Sequence, residues 1–351
     1  GEGGLLWIKE RSGAATHMLV DSTEPPTYTD PNYRTPTLES PYDYARGYYS
    51  NAVNTFNSDG FSVGTSTNTN EDNSSYVAWC FQKAPKYFDL ITWTGTSTAG
   101  SQQIVPHNLD AQPGLVIAKS TSNVSDWWVI YKDSSRPTGW SYMYLNYNYQ
   151  SQGDNSMCIP DADNLVLTGG TIATDGVEYV AYLFAEDESE LIKCGTFTDP
   201  GNNQPITVEC GFAPQWLLVK AATVAGGWKI LDTTRGWSQI EEKTLNADTA
   251  TEEVDDGPWH PTETGFYVDT GYYTIPVASG GSPVDVIYVA IAAPVVTSMT
   301  QAQVNEMKLL STTRAYRAEK YKKDLTARAA ELRAALEAQG YTTAQINTML
   351  N

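Results

Sequence analysis

The strongest constraint on this chain is an internal period of about 105 residues. The phrases Tyr76-Val77-Ala78-Trp79, Tyr179-Val180-Ala181-Tyr182 and Tyr288-Val289-Ala290-Ile291 recur at spacings of 103 and 109 residues. A second set ends in lysine: Leu5-Leu6-Trp7-Ile8-Lys9, Leu115-Val116-Ile117-Ala118-Lys119 and Leu217-Leu218-Val219-Lys220. Its lysines are 110 and 101 residues apart. Two independent landmarks with one period point to three tandem copies. Short-period architectures repeat at about 20–50 residues and are excluded. A unit of this length can carry its own core. Within it, short runs rich in Val, Ile, Tyr and Thr are bounded by Gly, Pro, Asn, Ser and Asp. That pattern predicts antiparallel sandwiches. The Tyr-Val-Ala runs are almost continuously apolar, as in central strands covered on both faces.

The expected fold is therefore mainly β: tandem antiparallel β-sandwich units of jelly-roll or lectin-like type, followed by an α-helical appendage. The expected boundaries are 1–86, 87–189 and 190–295 for the repeats and 296–351 for the helical segment. The first repeat is about one hairpin short, with only eight residues before Lys9. Either upstream residues supply the hairpin, the preferred reading, or another chain does so by strand augmentation. Gly1–Lys9 has neither the basic nor the long apolar region of a signal peptide.

Forty-one acidic against 22 basic residues give a net charge of −19. Such a chain is a poor nucleic-acid binder, because phosphate contacts need clustered cations. Adsorption to anionic lipid is disfavoured for the same reason. No apolar run reaches the roughly 20 residues of a membrane-spanning helix. The charge is uneven: residues 299–351 carry 8 basic and 5 acidic residues, a local +3. There, Tyr321, Leu325, Leu332 and Leu336 form a stripe at helical spacing. The stripe reads as packing on the sandwich or as docking on a partner.

Residues able to carry chemistry are few and scattered. His17, His107 and His260 lie far apart, and the four cysteines form no metal-ligand spacing. No metal, cofactor or catalytic constellation is expected. Cys194 and Cys210 could face each other across a hairpin, but two buried thiols are the favoured reading. Glu252-Glu253-Val254-Asp255-Asp256 reads as a solvated acidic loop. Trp7, Trp79, Trp127, Trp216 and Trp228 fall in or near the repeated phrases and read as core. Tyr48, Tyr49, Tyr147 and Tyr149, with Tyr42, Tyr44, Tyr142 and Tyr144, fall between the landmarks. The first four are the candidate contacts for a sugar ring or a neighbouring subunit, although sheet packing alone would also account for them.

The phrases Gly4-Leu5-Leu6-Trp7-Ile8-Lys9, Tyr76-Val77-Ala78-Trp79-Cys80-Phe81, Gly211-Phe212-Ala213-Pro214-Gln215-Trp216 and Ile230-Leu231-Asp232-Thr233-Thr234-Arg235-Gly236 resemble a tandem repeat of tailed-phage virion proteins. That type is common in marine and cyanobacterial phages. The resemblance spans about residues 3–294 and departs from the pattern at Arg136-Pro137 in the second repeat. It implies a structural protein of the virion surface: tail fibre, tail appendage or capsid decoration. Its implied partners are its own copies, with a homotrimer favoured, other virion proteins and a host surface glycan. It brings no catalytic residues. A carbohydrate-binding module is the alternative reading, and a polysaccharide depolymerase a third.

Overall fold

The structure is a computed structural model. It describes residues 3–26, 34–96, 101–186, 191–202, 204–238, 242–255, 257, 259–269 and 282–292. The appendage expected at 296–351, with its stripe Tyr321, Leu325, Leu332 and Leu336, lies outside the described residues.

The described chain is mainly β, built of several antiparallel sheets. The first repeat holds β1 (Gly4–Glu10), β2 (Met18–Asp21), β3 (Arg34–Glu39), β4 (Gly47–Ser50), β5 (Val53–Phe56), β6 (Phe61–Val63) and β7 (Tyr76–Gln82). The second holds β8 (Phe88–Thr94), β9 (Gln102–Pro106), β10 (Pro113–Ser120), β11 (Trp128–Lys132), β12 (Trp140–Tyr144), β13 (Gly153–Asp154), β14 (Cys158–Pro160), β15 (Asn164–Thr168) and β16 (Glu178–Ala185). The third holds β17 (Ile192–Asp199), β18 (Ile206–Glu209), β19 (Pro214–Ala221), β20 (Lys229–Asp232), β21 (Lys243–Asn246), β22 (Val254–Asp255), β23 (Trp259–Pro261), β24 (Gly265–Val268) and β25 (Val284–Ala292).

The strand order repeats, although the third Tyr-Val-Ala phrase is displaced by two residues: Lys9 and Lys119 pair with Val77 and Val180, but Lys220 pairs with Ile287, so Val286 rather than Tyr288 stands where Tyr76 and Tyr179 do. Repeat two forms a sheet of order β13-β12-β11-β10-β16-β8 and a smaller one, β14-β15-β9. Repeat three matches it with β22-β21-β20-β19-β25-β17 and β23-β24-β18. Repeat one has β4-β3-β2-β1-β7 and the pair β5-β6. Lys9, Lys119 and Lys220 occupy the same place in β1, β10 and β19. The ladders β10–β16 and β19–β25 even slip register at matching points, between Pro113 and Leu115 and between Pro214 and Trp216.

Alternation along these strands explains their nearly continuous apolar character. Leu6 and Ile8 of β1 pack outward with Val20 and Val53, while Leu5 and Trp7 point inward. In β19, Leu217 and Val219 meet Phe266 and Val268 of the small sheet, while Trp216 and Leu218 point inward. The inward sets of all three repeats join one cluster, where Phe81 packs edge-on against both Phe184 and Trp216. Residues 1–293 accordingly form one compact unit.

The repeats are also hooked together, and the same two loops meet at every junction. The β10–β11 loop of repeat two sits on the β3–β4 loop of repeat one. There Trp127 Nε1 donates to the Glu39 and Tyr42 carbonyls (3.1 and 3.0 Å), and Ser125 N donates to the Asp43 carbonyl. The β19–β20 loop sits likewise on the β12–β13 loop: Trp228 Nε1 reaches the Tyr144 carbonyl at 2.8 Å, and Gly226 N the Asn148 carbonyl. The β1–β2 loop then closes on repeat three, where His17 Nε2 donates to the Asn246 carbonyl at 2.9 Å. Three repeats thus form a ring with approximate threefold symmetry inside one chain.

Candidate functional site

The candidate surface draws its tyrosines from the β3–β4 loop of repeat one and the β12–β13 loop of repeat two. Tyr42 and Tyr44, in the β3–β4 loop, stack on each other with ring centroids 5.1 Å apart. Tyr147 and Tyr149, in the matching β12–β13 loop, stack at 4.8 Å and nearly parallel. Tyr144 meets Tyr147 edge-on, and Trp128 holds Tyr144 from below. Tyr44 and Tyr149 are both more than half exposed.

Two carboxylates, Asp126 and Asp43, lie close enough to Tyr147 to act on it. Asp126 accepts from the Asn146 amide at 2.9 Å, and Asn146 Oδ1 accepts from Trp127 N at 3.0 Å. The Tyr147 phenol is pushed up from its ordinary pKa, first by the charge of Asp126 and also by that of Asp43. Tyr49 shares a hydrogen bond with Glu39, and burial is the main cause of its raised pKa. The surface thus offers aromatic faces flanked by the half-buried carboxylates of Asp43 and Asp126, with the buried Asn146 amide holding Asp126 in place. Such a combination can stack on a ring's apolar face while accepting from its hydroxyl groups.

The structure does not unite all four candidate tyrosines. Tyr48 and Tyr49 are neighbours in β4, so their side chains leave opposite faces of the sheet. Tyr48 is exposed and donates to Glu24 Oε1 at 2.8 Å, while Tyr49 turns to Glu39 beside Tyr42 and Tyr44. Asp43 and Asp126, which no motif marked, complete the surface, and beneath them lies Asn146, which with Leu145 matches Leu245-Asn246 of the third repeat. The available signal was their place in the loop pair that repeats at each junction.

The five tryptophans read as core are all buried. The acidic run is corrected: Glu253 is not a solvated charge. It takes Arg11 Nη2 at 2.7 Å and Arg235 Nη1 at 2.8 Å, and the two guanidiniums hold its pKa down against desolvation. Asp255 in the same run is half exposed and pairs with Lys243. Arg235 also binds Asp232, and its guanidinium lies 5.3 Å from the Trp79 ring centre. Trp79 Nε1 donates to Asp232 at 2.9 Å, so this network ties repeat three to repeat one. Of the two thiols read as buried, Cys210 is buried, whereas Cys194 is only partly so and points its Sγ at the Phe184 and Ala185 carbonyls, 3.9 and 3.3 Å away.

Among the described residues no group of three or more His, Cys, Asp and Glu side chains could hold a metal ion. No helix among them is long and apolar enough to cross a membrane.

No curated protein and no solved structure matches the chain. A family model described as "Domain of unknown function (DUF7483)" matches residues 2–292. That span runs from β1 through β25; the chain belongs to the DUF7483 family.

Proposed function

We propose that this protein is a structural component of a phage particle, as tail fibre, tail appendage or capsid decoration, acting in assembly and host-surface adhesion rather than catalysis. In this reading the repeats are tandem sandwich units of jelly-roll or lectin-like type, and the segment after residue 295 is a docking helix. The sequence resemblance supplies the context. The observation that supports it most directly is the ring of three repeats, hooked at every junction and sharing one core. Such a block is rigid, because its inter-repeat contacts are buried. Its net charge of −19 keeps crowded copies soluble. Homo-oligomers, with a trimer favoured, would add avidity to weak single contacts. Mass spectrometry and labelled-antibody imaging of purified particles test the proposal. The protein is expected on the particle surface, and its absence from particles would end this reading.

The paired tyrosines favour a second reading, in which the same protein recognises a host glycan. Tyr147→Ala and Tyr149→Ala are expected to weaken binding to host polysaccharide about tenfold, in line with stacking contributions of about 1 kcal/mol or more per ring. Tyr48→Ala, on the opposite face, is expected to leave binding unchanged. Glycan arrays and titration of isolated polysaccharide make the measurement, and equal loss from all three variants would remove the tyrosine surface from consideration.

A further inference from the structure

Among the described residues, two strand edges of repeat one are unpaired where repeats two and three have a hairpin. In repeat two, β8 pairs with β16 from Phe88↔Phe184 to Thr94↔Glu178, while β9 pairs with β15. In repeat three, β17 pairs with β25 and β18 with β24. One hairpin thus lays its first strand on the long sheet and its second on the small one. Among the described residues no strand pairs with the corresponding edges of β7 and β6.

The outer face of β7 is uncovered as well. Ala78, Cys80 and Gln82 are exposed, whereas Ala181, Leu183 and Ala185 at the same positions of β16 are buried. Phe56 and Val63, in the small pair β5–β6, are also exposed. Unpaired edges beside an apolar face form a ready template for strand addition. The filled sites show what fits. Both hairpins carry an aromatic between threonines in the first strand, Thr92-Trp93-Thr94 and Thr196-Phe197-Thr198. Trp93 stacks on Tyr179 at 5.2 Å, and Phe197 packs against Tyr288. By register, Trp93 lies opposite Tyr179 and Phe197 opposite Val286, and Tyr76 is the residue of β7 at that position. In both repeats the hairpin leads within six residues into the lysine-bearing strand, at Pro113 and Pro214.

We propose that the open edges of β6 and β7 seat a β-hairpin of the β8–β9 pattern, with a Thr-aromatic-Thr strand over Tyr76, carried by the same polypeptide on the amino-terminal side of Gly4. Cys80 reports on the seat, because it lies on the uncovered face; Cys194→Ser removes the other accessible thiol. Residues 87–112 are fused ahead of Gly3 to reproduce the natural connection of repeat two. Thiol-labelling rates of Cys80 and amide exchange in β7 are compared with those of the 1–351 chain. The fusion is expected to slow both at least tenfold and to raise the melting temperature. A free peptide of residues 87–106 is expected to slow labelling where a scrambled one does not. Unchanged Cys80 labelling in the fusion overturns the proposal. So does faster labelling when residues 293–351 are deleted, since the carboxy-terminal segment would then be the occupant. A mature natural protein whose first residue is Gly1 overturns the amino-terminal source.

Discussion

At position 17 repeat one carries histidine where the others carry Trp127 and Trp228, and the exchange is compensated two residues before the buried lysine. Trp7 stands where the other repeats have Ile117 and Leu218, and its Nε1 donates to His17 Nδ1 at 2.8 Å. With Nε2–H given to the Asn246 carbonyl, both ring nitrogens are engaged only in the neutral tautomer. Burial foremost, then the charge of Lys9, pushes the His17 pKa down to about 3. An unfolded chain binds that proton near pH 6.5. The stabilisation is therefore complete above about pH 6.5 and is lost as pH falls toward 3, at about 1.4 kcal/mol per unit within that window. A Trp7→Leu/His17→Trp double variant recreates the pair Leu218/Trp228. It is expected to fold and to lose less stability than the parent between pH 7 and 4 in urea titrations. Equal losses would show that His17 does not set the acid response. The three lysines show what sequence reading could reach. Their spacing exposed the repeat, but not that each would be fully buried with its Nζ on backbone carbonyls. Burial pushes all three down to about 8. For Lys119 and Lys220 one of those carbonyls belongs to the preceding repeat, and no local pattern records a neighbour's loop.

At the scale of elements, strands were legible and junctions were not. Periodicity marked β1, β10 and β19 as strands, because Leu, Val and Ile alternate between two apolar surroundings. It could not show that the inner surroundings are other repeats. The adjacent Tyr48 and Tyr49 were grouped as candidates, although a pleated strand sends neighbours to opposite faces. The acidic run misled for a related reason: Glu253 finds Arg11 only after the ring closes, 242 residues away in sequence. That pairing makes the Arg235 network a test of the closure. Arg235→Met leaves Asp232 without its guanidinium and Glu253 with only one, a loss of about 3–5 kcal/mol by analogy with other broken buried ion pairs. Arg235→Lys keeps the charge without the planar fork and is expected to fall between the parent and Arg235→Met. Melting temperatures compare the three, and a Met variant as stable as the parent would show that the network contributes little to closure.

For the whole molecule, the shared core argues against three independently folding units. Taking one repeat away would expose the inward faces of the other two, including Trp7, Phe81 and Trp216, and each large side chain so exposed costs roughly 1.5–3 kcal/mol. Residues 4–292 are expected to unfold in one transition, with calorimetric and van't Hoff enthalpies equal. Three resolved transitions would mean that the common core contributes little. The ring also bears on how such a protein can change. A trimer assembled from identical chains repeats every substitution three times, at sites that cannot differ. Here the three positions are separately encoded, so one can trade tryptophan for histidine and another can gather tyrosines at its rim. Covalent linkage has released each position to specialise while the arrangement that joins them stays the same.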